Sequence, residues 1–363
     1  MLVYVCTFFI VILLTYIAQI LRKKSKYLSY GISIVCIIIL ATVAALRSNN
    51  VGIDIKVYAL RYFEKCGEFS NLYKYLKHYE FSEPLYFILN YIVYNVSLNI
   101  NVLFFIMQFF LASVVYIIAY KNKNNENLLL FVITYLCIWY NTSFNIIRQS
   151  LAIFIMLYAF KYIEKQNYKK YFLCVVIAFF FHKSVILCAF IPVLHTIAKK
   201  EKKYIYLTGI CILLICIFNF IGNFIPKLIE IFPQFAKYFN YALREETNFM
   251  PKYAFMKLIF LVGILLYTKE TRKKQIGNTL IFIAVLDFVF YCSSIFIMYG
   301  YRMSYFFLPH YIYLIPQIDK DLENYKGRDS YKLIITLLLV MYWFYRYVRV
   351  GYDGTIPYTF FWQ

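Results

Sequence analysis

The chain has 363 residues, 63% of them hydrophobic and only 15% charged, with a mean hydropathy of +0.64. That composition excludes an ordinary soluble domain and describes an all-α, polytopic membrane protein. The formal net charge of +20 would suit nucleic acid, but the Lys and Arg residues cluster in short loops between apolar runs. Topogenic signals and anionic headgroups account for charges placed there, so no nucleic-acid partner is expected.

In chain order, apolar runs at roughly 2–21, 28–46, 100–120, 127–140, 144–163, 169–181, 184–198, 204–221, 253–267, 276–298, 303–318 and 332–348 predict about 12 transmembrane helices. Several are shorter than the ~20 residues that a perpendicular span needs, so some are expected to be tilted, broken or re-entrant. The runs recur over the whole length, so residues 1–363 read as a single transmembrane domain with no separate soluble one. Residues 1–21 lack a basic leader and a small-residue cleavage site, and read as a retained helix. Of nine Cys only Cys66 falls in a long polar loop, and there is no CxxC pair, so neither a disulfide framework nor a metal site is indicated.

Basic loops set the orientation. Arg22 to Lys26, Lys165 to Lys170, Lys199 to Lys203 and Lys269 to Lys274 are expected on the cytoplasmic side. All four alternate correctly only if 84–98 does not cross fully, and its Asn90 and Asn95 suit a re-entrant or interfacial segment. Both termini then lie outside, as do the loops 47–83 and 222–252, the turn 141–143, the turn at Arg302 and the tail 350–363.

On that outer side two ionisable residues interrupt apolar runs: Arg148, within Asn145 to Ala152, and His182, after Phe179-Phe180-Phe181. Such groups are costly in lipid and read first as functional. Arg47 and Arg302 map to the same face. Arginines there oppose the positive-inside bias, and their planar forks suit phosphate or carboxylate oxygens. Each residue also has a structural alternative. Arg148 can cap carbonyls near a helix start, and His182 can bond backbone at a hairpin tip. Arg47 and Arg302 can be span-end charges, and Asp54, after Gly52, a turn residue. Asp287, the one acid deep in a run, is expected to be hydrogen-bonded inside the bundle.

Arg148-Gln149 with Ala152, then Ile177-Ala178-Phe179-Phe180-Phe181-His182-Lys183-Ser184 with Pro192, resembles the EpsG family, which belongs with the Wzy-type polymerases of bacterial surface polysaccharides. Ala45-Leu46-Arg47, Val51-Gly52-Ile53-Asp54, Tyr58, Glu83-Pro84-Leu85-Tyr86 and the closing Gly354 to Tyr358 fit the same pattern. The resemblance implies a helical bundle like those of GT-C-like and Wzy polymerases, in the bacterial plasma membrane with its site on the outer face. It implies an enzyme without a cofactor that joins oligosaccharide repeat units carried on undecaprenyl pyrophosphate, and it allows a chain-length regulator as partner.

Such a transfer needs cations for the leaving pyrophosphate, a base for the acceptor hydroxyl, and a groove open to lipid. Arg148, with Arg47 or Arg302, fits the first need. His182 fits the second, because an unperturbed imidazole titrates near neutral pH. Arg47, Asp54, Arg302, Gln149 and Asn145 are the expected contacts to pyrophosphate or sugar. Two other classes remain open. A flippase or transporter of lipid-linked sugars would show internal repeats and charged pairs near the midplane. A membrane O-acyltransferase would also use an intramembrane His, but its acyl donor is normally cytoplasmic.

Overall fold

The computed structural model describes residues 1–122, 127–232, 249–297 and 300–363. Among them every regular element is helical, and the one strand-like contact is an isolated bridge between Arg47 and Phe360. Helices are the solution that apolar runs must find in lipid, because each N–H and C=O is then satisfied within its own segment. Six are long and apolar enough to cross a membrane: Leu2–Leu21, Lys26–Ala45, Ile100–Lys121, Lys203–Phe224, Gln275–Ile295 and Arg328–Arg349. Leu128–Tyr140 and Lys183–Ile197 are shorter apolar helices. The chain is therefore a multi-pass, all-α membrane protein.

The remaining expected spans coincide with helix too, in shorter or more charged form: Ile147–Glu164, Tyr168–Phe179 and Pro251–Leu265. The run at 303–318 is broken into Tyr301–Ser304, a 3-10 turn at Leu308–His310 and Tyr311–Asp321. Pro309 and Pro316 lack the N–H that a continuous helix would use there. The loop expected at 222–252 begins later, since Lys203–Ile231 is helical throughout, and Pro251 already opens the next helix. Residues 233–248 of that loop lie outside the described residues.

The chain divides into two compact units, residues 1–186 with 315–363, and residues 187–314. In the first, Leu2–Leu21, Lys26–Ala45 and Ile100–Lys121 are joined by small and hydroxylic side chains, which bring helices close and bond across them without lipid-exposed polarity. Thr15 Oγ1 lies 2.7 Å from Tyr116 Oη, and Ser29 and Ser33 bond Tyr120 Oη at 2.6 and 2.8 Å. At this end the Arg22 Nη2 also donates to Tyr120 O at 3.1 Å. The opposite end holds Arg47, which stacks on Phe104 of the third helix.

The helix Pro84–Ser97 does not run the length of this bundle. It packs on the first turns of Ile100–Lys121 (Ile100, Leu103, Phe104, Met107) and of Ile147–Glu164 (Ile147, Leu151), together with Ile55, Phe63 and Tyr75. Its 14 residues rise about 21 Å. That is short for a span of ~20 residues.

The tail closes the Arg47 end. Gly351, Asp353 and Gly354 take φ of +69°, +68° and +60°. For Asp353 this left-handed backbone is unfavourable, and the side chain holds it there. Its carboxylate accepts from Thr142 Oγ1 (2.8 Å) and Asn145 Nδ2 (3.1 Å), and lies 3.3 Å from Arg346 Nη2. Beyond it, Gly52 N donates to Gly354 O at 2.9 Å and Ser48 N to Thr359 O at 2.8 Å. Gly52 has φ +108°, and a Cβ there would come 2.7 Å from Phe144 O, so no larger residue fits.

In the second unit Lys257 Nζ meets Asp287 Oδ1 at 2.8 Å, with both side chains almost fully buried. Asp287 is thus satisfied within the bundle as expected, but by a lysine that the sequence did not single out. His195 Nδ1 lies 2.9 Å from Thr279 Oγ1 in the same unit.

Asp353→Ala takes from buried Arg346 the carboxylate that lies 3.3 Å from it, a loss of about 3–5 kcal/mol. We expect a large drop in the thermal unfolding midpoint of the detergent-solubilised chain, with Asp353→Asn intermediate. An unchanged midpoint in the alanine variant would remove the tail from the structural frame.

Candidate active site

The three residues that meet in the first unit are Arg148, His182 and Glu83. Glu83 precedes Pro84 and has φ +51°, in a loop where Glu80 and Phe81 are also left-handed, at +52° each. Non-glycine residues hold that conformation at a cost of about 1–2 kcal/mol apiece, so something must offset it. Two kinds of contact do so. Leu85 N donates to Phe180 O at 3.1 Å, docking the loop on the 180–183 hairpin tip. The Glu83 carboxylate then gathers two donors, Arg148 Nη1 on Oε2 at 2.5 Å and Lys183 N on Oε1 at 3.2 Å, and His182 Nδ1 lies 2.8 Å from Oε1, close enough for an ion pair but not aligned as a hydrogen bond.

Glu83 is nearly buried (8% exposed), whereas Arg148 and His182 keep 25% and 22% of their side chains open. Burial by itself would raise the Glu83 carboxyl, but the His182 contact, the Arg148 charge and the Lys183 N–H hold it down at about 2. An ionised carboxylate repels a lone pair, so its 2.8 Å approach favours the tautomer with the proton on Nδ1 and the lone pair on Nε2. Arg148 Nη1 is the only guanidinium nitrogen of that residue hydrogen-bonded among the described residues, so donors remain for a second anion. The rings of Tyr58, Tyr62 and Tyr86 surround it at 5.7, 5.3 and 5.7 Å from Cζ.

The other expected residues are placed differently. Arg47 is 2% exposed, between the rings of Phe104 (4.1 Å) and Phe144 (4.3 Å). Its side chain makes no hydrogen bond among the described residues. Beside it a cavity of about 10 Å³, lined by Gln108 and Ser143, has room for about one water. Burial lowers Arg47 to about 10, which still leaves it charged at neutral pH. Asn145 is buried and committed to Asp353 through Nδ2 and to Asp54 N through Oδ1 (2.7 Å), so it bolts the Asp54 turn to the tail. Gln149 is buried on the same helix as Arg148. Arg302 belongs to the second unit, partly buried, with Nε 3.5 Å from Tyr301 Oη. Of the tyrosines between residues 47 and 83, Tyr58 and Tyr62 flank Arg148, Tyr75 is buried in that segment's own aromatic core, and Tyr73 is exposed.

Sequence reasoning had Glu83 in view only as part of a motif. The available signal was an acid immediately before a proline, at the entrance to the apolar run 84–98.

The EpsG family model matches residues 32–360. The chain belongs to the EpsG family. Membership implies a part in polysaccharide biosynthesis. The segments on which the resemblance rests meet in the fold: 45–54 with 354–358, and 83–86 with Arg148 and His182. No curated protein and no solved structure matches the chain.

The pH dependence follows from Glu83. Its folded carboxyl, at about 2, lies below the ~4.3 of an unstructured glutamate. Its stabilisation is therefore complete above that ordinary value and is lost as the pH falls from there through 2. Glu83→Gln should be markedly less stable than the native chain at pH 7 and approach it in acid. A stability difference that stayed constant from pH 7 to 3 would mean that Glu83 is not ionised in the fold.

Proposed function

We propose that this member of the EpsG family is a polysaccharide polymerase. It joins oligosaccharide repeat units carried on undecaprenyl pyrophosphate at the outer face of the bacterial plasma membrane. The observation that supports this best is one buried carboxylate holding a guanidinium and an imidazole side by side, each still partly open. In the transfer, the acceptor hydroxyl attacks the anomeric carbon and its proton passes to Nε2 of His182. The bond from that carbon to the pyrophosphate oxygen breaks, and the charge gathering on the leaving pyrophosphate is met by the remaining N–H groups of Arg148. Glu83 keeps Nδ1 protonated and turns the ring, as an orienting carboxylate does in a hydrolase triad. A direct displacement of this kind inverts the anomeric centre.

The pairing of chain segments supports the orientation. Segments expected outside meet one another: Arg47 with the tail, and Glu83 with His182. Segments expected inside do likewise, Arg22 with Tyr120 and Asn127 with Asp319. Arg47, too enclosed to grip a pyrophosphate as it stands, serves this reading as a fixed charge beneath the site, while Arg302, Asp54 and Gln149 remain proposed substrate contacts.

The Lys257–Asp287 pair favours the second reading, a transporter of lipid-linked sugars, because charged pairs deep in the bundle are what coupling to ions requires. A deletion strain separates the two. Surface glycan reduced to a single repeat unit supports polymerisation, and complete absence of exported units supports transport.

Arg148→Lys keeps a charge but loses the planar fork, so long-chain polymer should fall by at least tenfold while the protein still inserts. His182→Ala removes a base worth ~10²–10⁴ in rate, and His182→Gln, unable to take up the proton, should be as defective. Long-chain glycan near native levels in the Gln variant would reduce His182 to a positioning role.

A further inference from the structure

In the first unit a cavity of about 520 Å³ lies at the end of the bundle away from Glu83 and Arg47. Three apolar spans terminate at it. Leu2–Leu21 contributes Gln19 and, just beyond its end, Lys23. Leu128–Tyr140 contributes Leu129, Leu130 and Ile133. Arg328–Arg349 contributes Arg328, Lys332 and Thr336. Lys320 and Glu323 complete the wall. The floor is aliphatic and the rim cationic.

Buried Asp319 arranges the rim. Arg328 forks onto it with Nε on Oδ1 and Nη2 on Oδ2, both at 3.0 Å, while Asn127 Nδ2 donates to Oδ2 at 3.0 Å and Lys332 Nζ lies 3.7 Å from Oδ1. Four cations, Lys23, Lys320, Arg328 and Lys332, thus face Glu323 on the wall and Asp319 behind it. The excess is positive. It stands where the apolar spans give way to polar loops, the level of lipid phosphates, and basic cavities between span ends at that level suit anionic headgroups.

We propose that this cavity binds a phosphate group, the phosphodiester of an anionic phospholipid such as phosphatidylglycerol, with a soluble phosphate as the other source of the same chemistry. The site is independent of the polymerase reading, since it involves none of the residues assigned there. The cavity is of a size that takes a headgroup, and Leu129, Leu130 and Ile133 line it beside the cations.

The test uses the full-length chain purified in a neutral detergent, read by thermal unfolding and by native mass spectrometry. Titration with phosphatidylglycerol should raise the unfolding midpoint saturably and leave a stoichiometric lipid adduct, while phosphatidylcholine does neither. Replacing both Lys320 and Lys332 with Gln should weaken the phosphatidylglycerol effect at least tenfold. Arg328 is left intact to keep Asp319 paired, and Lys326→Gln, exposed and off the cavity wall, should leave the effect unchanged. Inorganic phosphate acting at millimolar concentration, and lost in the same double variant, would support the site and assign it to a soluble phosphate. Equal responses to both lipids, or equal loss in Lys326→Gln, would overturn the proposal in favour of diffuse surface charge.

Discussion

A carboxylate taken out of water must be met by cations and N–H donors, and that requirement organises this bundle more than any other. Asp353 collects Thr142, Asn145 and Arg346, Glu83 collects Arg148, His182 and the Lys183 N–H, and Asp319 collects Arg328, Lys332 and Asn127. In each case at least one partner comes from far along the chain: Thr142 for Asp353, Arg148 for Glu83 and Asn127 for Asp319. An apolar helix has little preference for one apolar neighbour over another, because lipid tails are as apolar as the neighbour. A buried carboxylate has a strong preference, since leaving it unpaired costs several kcal/mol.

The first two clusters lie at one end of the first unit and depend on one another. Asp353 fixes Asn145, Asn145 fixes the backbone of Asp54, and three residues after Asn145 the same stretch presents Arg148. The left-handed turns at Asp353 and Glu83 place backbone strain beside these carboxylates, where the contacts are strong enough to hold it. Rigid support of this kind is what the proposed transfer would need, because a guanidinium and an imidazole displaced by 1 Å would lose much of their effect.

Arg47 shows the other way of carrying a buried charge. With aromatic rings on both faces and room for about one water, it is stabilised by the ring quadrupoles rather than by a counter-ion. Its position after an apolar run suggested a ligand contact, and the rings that enclose it come from residues 57 and 97 positions further along the chain, which no local pattern links to it.

The sequence by itself determined the membrane class, the helical content, the placement of almost every apolar helix and the family, because hydrophobic runs of fixed length admit few structures in lipid; the short helices within 47–83 were not legible in it. It also identified Arg148 and His182, since ionisable groups are conspicuous in such runs. The tertiary structure alone decided their relation to each other, which passes through Glu83, a residue 65 positions before Arg148 and 99 before His182. It likewise decided that Asn145 serves the fold, that Asp287 has Lys257 as partner, and that Asp353 ties down the tail. The physical reason is the same throughout. Hydropathy is a local sum that a reader can take along the chain, whereas the pairing of buried charges depends on which helices are neighbours, and a uniformly apolar pattern does not encode that.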